Sequence, residues 1–183
     1  MHDRSMNEIF AALGDALVDD FYQITREAHE KYRGYEPSVL VEHDVRAQAS
    51  CTYAHMVAAA DRRFIGRDGV KPLDIRGLKV WLFEQAGVVV RFKKMDEDGR
   101  TRNYPTNQAL NFDKQRHLPG LPPEPVRLAV GYVLDATGTG LLRSQISCPN
   151  GRDVLWCVAI VPLQERRDKE PIWVDVTRQS RFG

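Results

Sequence analysis

The sequence predicts an α+β fold: two N-terminal helices packed on a five- to six-stranded antiparallel sheet, with a short helix between two hairpin units. Two observations lead there. Apolar residues recur at three- and four-residue steps through the first third of the chain, and at two-residue steps from "RGLKVWLF" onward. Clusters of Gly, Pro, Asn and Asp then punctuate the second part at hairpin spacing. The chain of 183 residues reads as one domain, with a helical pair over 1–66 and an antiparallel sheet over 73–183.

"SMNEIFAALGDALVDDFYQITREAHEKY" is expected to be one helix. Ser5 and Glu8 form an S-x-x-E capping box at its start. Met6, Ile9, Phe10, Leu13, Leu17, Phe21, Ile24, Ala28 and Tyr32 make its apolar stripe, and Gly34 ends it. A second helix follows Pro37 and carries Val41, Val45, Ala49, Tyr53, Met56, Val57, Ala60 and Phe64 inward. Arg62 and Arg63 suit its C-terminus, Gly66 stops it, and the short connection predicts an antiparallel pair.

In "RGLKVWLFEQAGVVVRFKKM" a three-residue turn at Gln85–Gly87 sets Leu82 against Val90 and Val80 against Phe92. The other face then carries Lys79, Trp81, Phe83, Val89, Arg91 and Lys93. A second hairpin, "VRLAVGYVLD" to "LLRSQISC", pairs Leu128, Val130, Tyr132 and Leu134 with Cys148, Ile146, Ser144 and Leu142. "PNGRD" turns into "VLWCVAIVPL", apolar on both faces and therefore expected as a central strand, with Trp156 and Val158 in the core. "PIWVDV" adds an edge strand. "PTNQALNFDKQ" is the short helix between the hairpins, and "LPGLPPEP" is a stiff connector.

Composition excludes several classes. No apolar run approaches the roughly 18 residues of a membrane span. "MHDRSMNEIF" is not a secretory signal, so the expected location is the cytoplasm. Cys51, Cys148 and Cys157 are widely spaced, which argues against a disulfide framework and a zinc site; neither metal nor cofactor is expected. Charge is segregated. Residues 1–61 hold five Lys/Arg against eleven Asp/Glu, and residues 62–127 hold fourteen against eight. Either the two segments neutralise each other in the fold, or they form an oriented field that steers a charged partner.

Gly138 and Gly140 in "ATGTG" lack the following helix and the Gly-Lys-Ser/Thr of a phosphate loop, and read as a hairpin turn. Glu84 and Lys93 have the wrong spacing for a metal-dependent nuclease. His29, His43 and His55 read as helix-edge residues. His117, in "DKQRHLPG" beside Lys114 and Arg116, reads either as an exposed loop residue or as an acid or base near a phosphodiester.

The first hairpin is the richest stretch. Its expected outer face sets Lys79 opposite Lys93, a repulsive pair, beside Trp81 and Arg91. Cations with an aromatic ring suit single-stranded nucleic acid or an acidic protein segment. The competing readings are a solvated face or one covered by another element. "MDEDG" is a loop tip, Arg91, Lys93, Lys94, Arg100 and Arg102 are basic walls beside it, and Tyr104 sits where the chain leaves. The candidate binding residues are therefore Lys79, Trp81, Arg91, Lys93, Lys94 and Arg100. Arg102, Tyr104 and His117 are the candidates for catalysis in a metal-independent ribonuclease-like toxin.

The blocks "LKVWLFEQAGVVVRFKKMDEDG", "LPGLPPEP", "VRLAVGYVLD" and "WCVAIVP", behind two helices, resemble a group of small uncharacterised bacterial proteins. Those are encoded beside helix-turn-helix repressors or repressor-cleaving metallopeptidases in prophage, toxin–antitoxin or defence loci. The chain has neither a helix-turn-helix signature nor H-E-x-x-H. The resemblance therefore implies an accessory or effector protein that works with a protein partner encoded nearby. Nucleic acid is the alternative partner, no membrane is involved, and self-association stays open.

Overall fold

Gly14 splits the first expected helix in two. The computed structural model describes residues 4–101, 106–116, 120, 125–167 and 170–177. In it α1 (Met6–Leu13) ends where Gly14 takes φ +74° and ψ 155°, a conformation that suits a residue without Cβ and stops a helix. The capping box is formed: Ser5 Oγ accepts from the Glu8 backbone N–H, and Glu8 Oε2 accepts from that of Ser5. The chain restarts as α2 (Asp15–Arg33). The second expected helix is also divided, into α3 (Pro37–Glu42) and α4 (Val45–Phe64). Asp44 makes the break. Its Oδ1 accepts from the N–H groups of Arg46 (2.9 Å) and Ala47 (2.7 Å), satisfying donors that a continuous helix would have used itself. α4 runs back along α2, tied by Arg62–Glu27, Arg63–Asp20 (3.4 Å) and Arg67–Asp20 (2.8 Å).

Seven strands follow among the described residues, more than the five or six expected. They are β1 (Val70–Ile75), β2 (Leu78–Phe83), β3 (Val88–Lys94), β4 (Val126–Leu134), β5 (Leu141–Asn150), β6 (Asp153–Ile160) and β7 (Trp173–Asp175). Their order across the one sheet is their order in the chain. Every joint is antiparallel except β3–β4, which is parallel from Val88–Val126 to Lys94–Tyr132. A parallel joint needs a crossover, and the expected short helix lies in it as α5 (Asn107–Asp113), with the Thr106 hydroxyl accepting from Ala109 N–H.

The helices pack on one face of the sheet. Phe21 of α2 and Phe64 of α4 meet Phe83, Phe92 and Trp81 in a chain of edge-on rings, with centroids 5.2–6.1 Å apart. α5 covers part of the other face, where Phe112 packs among Ile75, Val80, Leu82 and Val89. β4 is thus buried on both sides and is the central strand, rather than β6. In β6 Val158 is fully buried, while Trp156 is half-buried against Phe10 (5.7 Å). The second hairpin keeps the expected pairs Val130–Ile146 and Tyr132–Ser144, and a bulge moves Leu134 to Leu141. The sheet's edges are β1, which carries Lys71, Pro72 and Asp74, and three-residue β7. No helix among the described residues is long and apolar enough to cross a membrane.

The first hairpin is one residue out of the expected register. Its turn holds four residues, Glu84 to Gly87, closed by Gly87 N–H donating to the Glu84 carbonyl (3.1 Å). Trp81 therefore pairs with Val90 and Leu82 with Val89. A slip of one exchanges the faces of one strand relative to the other.

Gly131 makes the parallel joint close. A Cβ there would lie 1.9 Å from the Lys93 carbonyl oxygen, a backbone atom fixed in the ladder. Gly131→Ala is expected to cost about 3 kcal/mol or more in a urea melt. A loss below about 0.5 kcal/mol would show that the joint yields.

Candidate anion-binding site

The register shift dismantles the expected outer face of the hairpin. Trp81 and Lys79 point to the helices, whereas Arg91 lies on the side covered by α5. Trp81 is 0% exposed and sits in the aromatic core, so its ring offers no stacking surface to a strand. Lys79 does not oppose Lys93. It is paired in the ladder with Asp74, and its Nζ reaches Asp61 of α4 at 3.0 Å. Arg91 is buried as well. Lys94 is half-buried and Arg100 exposed, Arg100 being paired with Asp98 (3.5 Å) and Asp153 (3.1 Å) across the "MDEDG" tip. That tip is docked on the sheet: Gln145 Nε2 donates to the Asp96 carbonyl, Arg143 Nη2 to that of Glu97, and Ser147 Oγ to that of Gly99. Arg102, Tyr104 and His117 lie outside the described residues.

Two of the predicted residues do come together, in another place. β2 and β3 share only three residue pairs, while β3 follows β4 for its whole length. Beyond Val90 a cavity of about 290 Å³ opens between the β1–β2 turn, β3 and α5. Arg76, Gly77 and Leu78 form one wall, Arg91 and Lys93 another, and Thr106, Gln108 and Ala109 the third. None of the eight is acidic. Arg76 and Gly77 are the two central residues of a tight hairpin turn, at φ +52° and +84°. Such turns favour Asn or Gly, so a left-handed Arg is an unusual occupant.

Arg91 is the centre of this site. It is 1% exposed, and its guanidinium lies 4.9 Å from the Phe112 ring centroid. Nη2 donates to Asp113 Oδ1 (2.5 Å) and Thr101 Oγ1 (2.7 Å). Nε and Nη1 are buried without a hydrogen-bond partner. Burial pushes the Arg91 pKa down and the Asp113 pKa up, and each partner's charge only partly opposes this. Burial and the Arg91 charge also hold Lys93 below the usual lysine range, with its Nζ 4.7 Å from the Tyr53 ring centroid. Neither Arg76 nor Lys93 forms an ion pair among the described residues. A second buried arginine, Arg127, donates from Nη1 to the Asn111 carbonyl, and so holds α5 down (3.2 Å).

Other readings resolve structurally. Glu84 pairs with Lys71 (2.5 Å). His43 Nδ1 and His55 Nε2 meet the hydroxyls of Tyr32 (3.3 Å) and Tyr35 (2.8 Å), and His29 Nε2 meets the Thr139 carbonyl (3.0 Å). "ATGTG" is a turn organised by Asp135, whose Oδ1 accepts from Thr137 and Thr139. Burial raises the Cys148 and Cys157 thiols to about 12, which removes them as nucleophiles. No family model, curated protein or solved structure matches the chain.

Sequence reasoning missed Arg76, Asp113 and Gln108. The one available signal was "DIRGLK", a two-residue turn between Ile75 and Leu78. Nothing local marks Asp113 as the partner of a residue in a strand 22 positions earlier.

Trp81→Ala is expected to cost roughly 3–5 kcal/mol, as buried aromatics do. A change within experimental error would return Trp81 to the surface. For the buried pair, Asp113→Asn alone should destabilise by about 3–5 kcal/mol, because it strands a buried charge. Arg91→Met combined with Asp113→Leu should cost less than the sum of the two single changes in a double-mutant cycle. Additive losses would mean the two side chains do not interact.

Proposed function

We propose that the protein is a non-enzymatic binding module that takes hold of an anionic group of its partner in the cavity between β2, β3 and α5. The observation that carries this reading is Arg91. It is a fully buried guanidinium that lines the cavity with two of its nitrogens unpartnered. Unmade hydrogen bonds of a buried charged group cost about 1–3 kcal/mol or more, and an anion that enters the cavity and displaces the packing over those nitrogens would remove that cost. Binding is favoured over catalysis because the lining, among the described residues, contains no His, carboxylate, Tyr or Cys to serve as base or nucleophile. The resemblance of the sequence blocks supports placing such a module in a toxin–antitoxin or phage-defence setting, as an accessory or effector protein beside a regulator.

The test is a calorimetric titration with phosphate, sulfate and acetate at matched ionic strength. At least one is expected to bind with 1:1 stoichiometry. Arg76→Gln combined with Lys93→Gln is expected to weaken it about tenfold or more without loss of helical and strand signal in circular dichroism. Silence from all three anions would remove the reading. Growth arrest on expressing the chain alone, lost with Arg102→Ala or Tyr104→Phe, would instead support the ribonuclease-like toxin.

A further inference from the structure

Resting on that binding reading, we infer that the anionic group is a phosphate monoester carried by a small molecule. Three cations approach the cavity from two separate parts of the chain: Arg76 from the β1–β2 turn, and Arg91 with Lys93 from β3. Among the described residues, Asp113 is the one carboxylate paired with them. The formal balance of the four groups is +2. A phosphate monoester carries about −1.5 to −2 near pH 7, whereas a carboxylate or a phosphodiester carries −1. Donors arriving from several directions also suit a tetrahedral group with three terminal oxygens better than a planar group with two. Lys93 is held below its usual range by burial and by Arg91, and a dianion beside it favours its charged form.

Size and surroundings choose the carrier. About 290 Å³ lies at the small end of ligand pockets, enough for a phosphate and a few atoms of what bears it. A polymer needs a run of cations along its backbone, and nearby lysines are already engaged: Lys71 with Glu84 and Lys79 with Asp61. The site takes a single charged group, with the Gln108 amide and Thr106 in the wall beside it.

The test uses the full chain and five probes at constant ionic strength: phenyl phosphate, ribose 5-phosphate, inorganic phosphate, dimethyl phosphate and acetate. The two monoesters are expected to bind at least about tenfold tighter than the diester and acetate. Their binding should weaken from pH 7.5 to 5.5, as the monoester takes up its second proton near pH 6. It should weaken again at alkaline pH as Lys93 discharges. The groups that face the ligand or Arg91 in this profile are Arg76, Arg91 and Lys93, Asp113 of α5 and Tyr53 of α4. Lys93→Gln is expected to reduce monoester affinity about tenfold with an unchanged urea midpoint. Arg91→Lys, which keeps the charge and loses the planar donors, should reduce it further.

Acetate or dimethyl phosphate binding as tightly as the monoesters overturns the phosphate assignment and leaves the anion-binding module standing. Inorganic phosphate binding tighter than both esters overturns the carrier in favour of the free ion. A 5′-phosphorylated oligonucleotide or a phosphopeptide binding far tighter than ribose 5-phosphate overturns the small-molecule assignment. Binding by none of the probes overturns both readings.

Discussion

The rest of the structure depends on the parallel joint between β3 and β4. The other joints are antiparallel, most of them closed by short turns and β6–β7 by residues 161–172, but two parallel neighbours must be joined by a chain that returns to the starting end of the sheet. That return is the segment from Met95 to Pro125. It first folds the "MDEDG" tip onto β5 and then lays α5 across the face that the long helices leave open. Burial of Arg91 and Arg127 follows from this, since both lie on the face that α5 covers. The cavity follows too. β3 stays with β4 to its end and parts from β2 after Val90, and α5 roofs the gap.

Charge segregation along the chain has a structural resolution. The acidic residues of α2 meet the basic end of α4 and the loop behind it, in Glu27–Arg62, Asp20–Arg63 and Asp20–Arg67. Lys79 meets Asp61 in the same manner. These pairs are partly exposed, and each contributes at most about 1 kcal/mol to stability. Their larger effect is on the surface field, where Arg62, Arg63, Arg67 and Lys79 of the basic middle meet carboxylates of the acidic front. Arg76 and Lys93, which line the cavity together, have no ion pair among the described residues. The buried Arg91–Asp113 pair is different. Burial works against both charges more strongly than pairing favours them, so its contribution lies in fixing where α5 sits.

Much of the fold was legible because its signals are local. The capping box at Ser5, the turn at "PNGRD", the short helix in the crossover and the edge strand at Trp173 all rest on residues within one or two turns of each other. The failures came where a single residue decides between near-equal alternatives. Gly14 and Asp44 interrupt apolar stripes that run on through them, so periodicity alone cannot see the breaks. One extra residue in the turn after Phe83 exchanged the two faces of the hairpin, and with them the expected site. Arg91 and Lys93 were named from their chemistry. Their real companions, Arg76 and Asp113, are brought in by sheet pairing and by the crossover, and neither leaves a trace in local spacing.

An open seven-stranded sheet has two exposed borders, each a template on which a foreign strand can grow. Here both are blunted. β1 presents Lys71 and Asp74 with Pro72 inside the strand, and Pro72 has no N–H to donate. β7 is three residues long. A neighbouring chain finds a charged, donor-deficient margin on one side and too little length to register against on the other. The molecule can therefore carry a long row of apolar strands at high concentration and still resist fusing sheet to sheet into fibres.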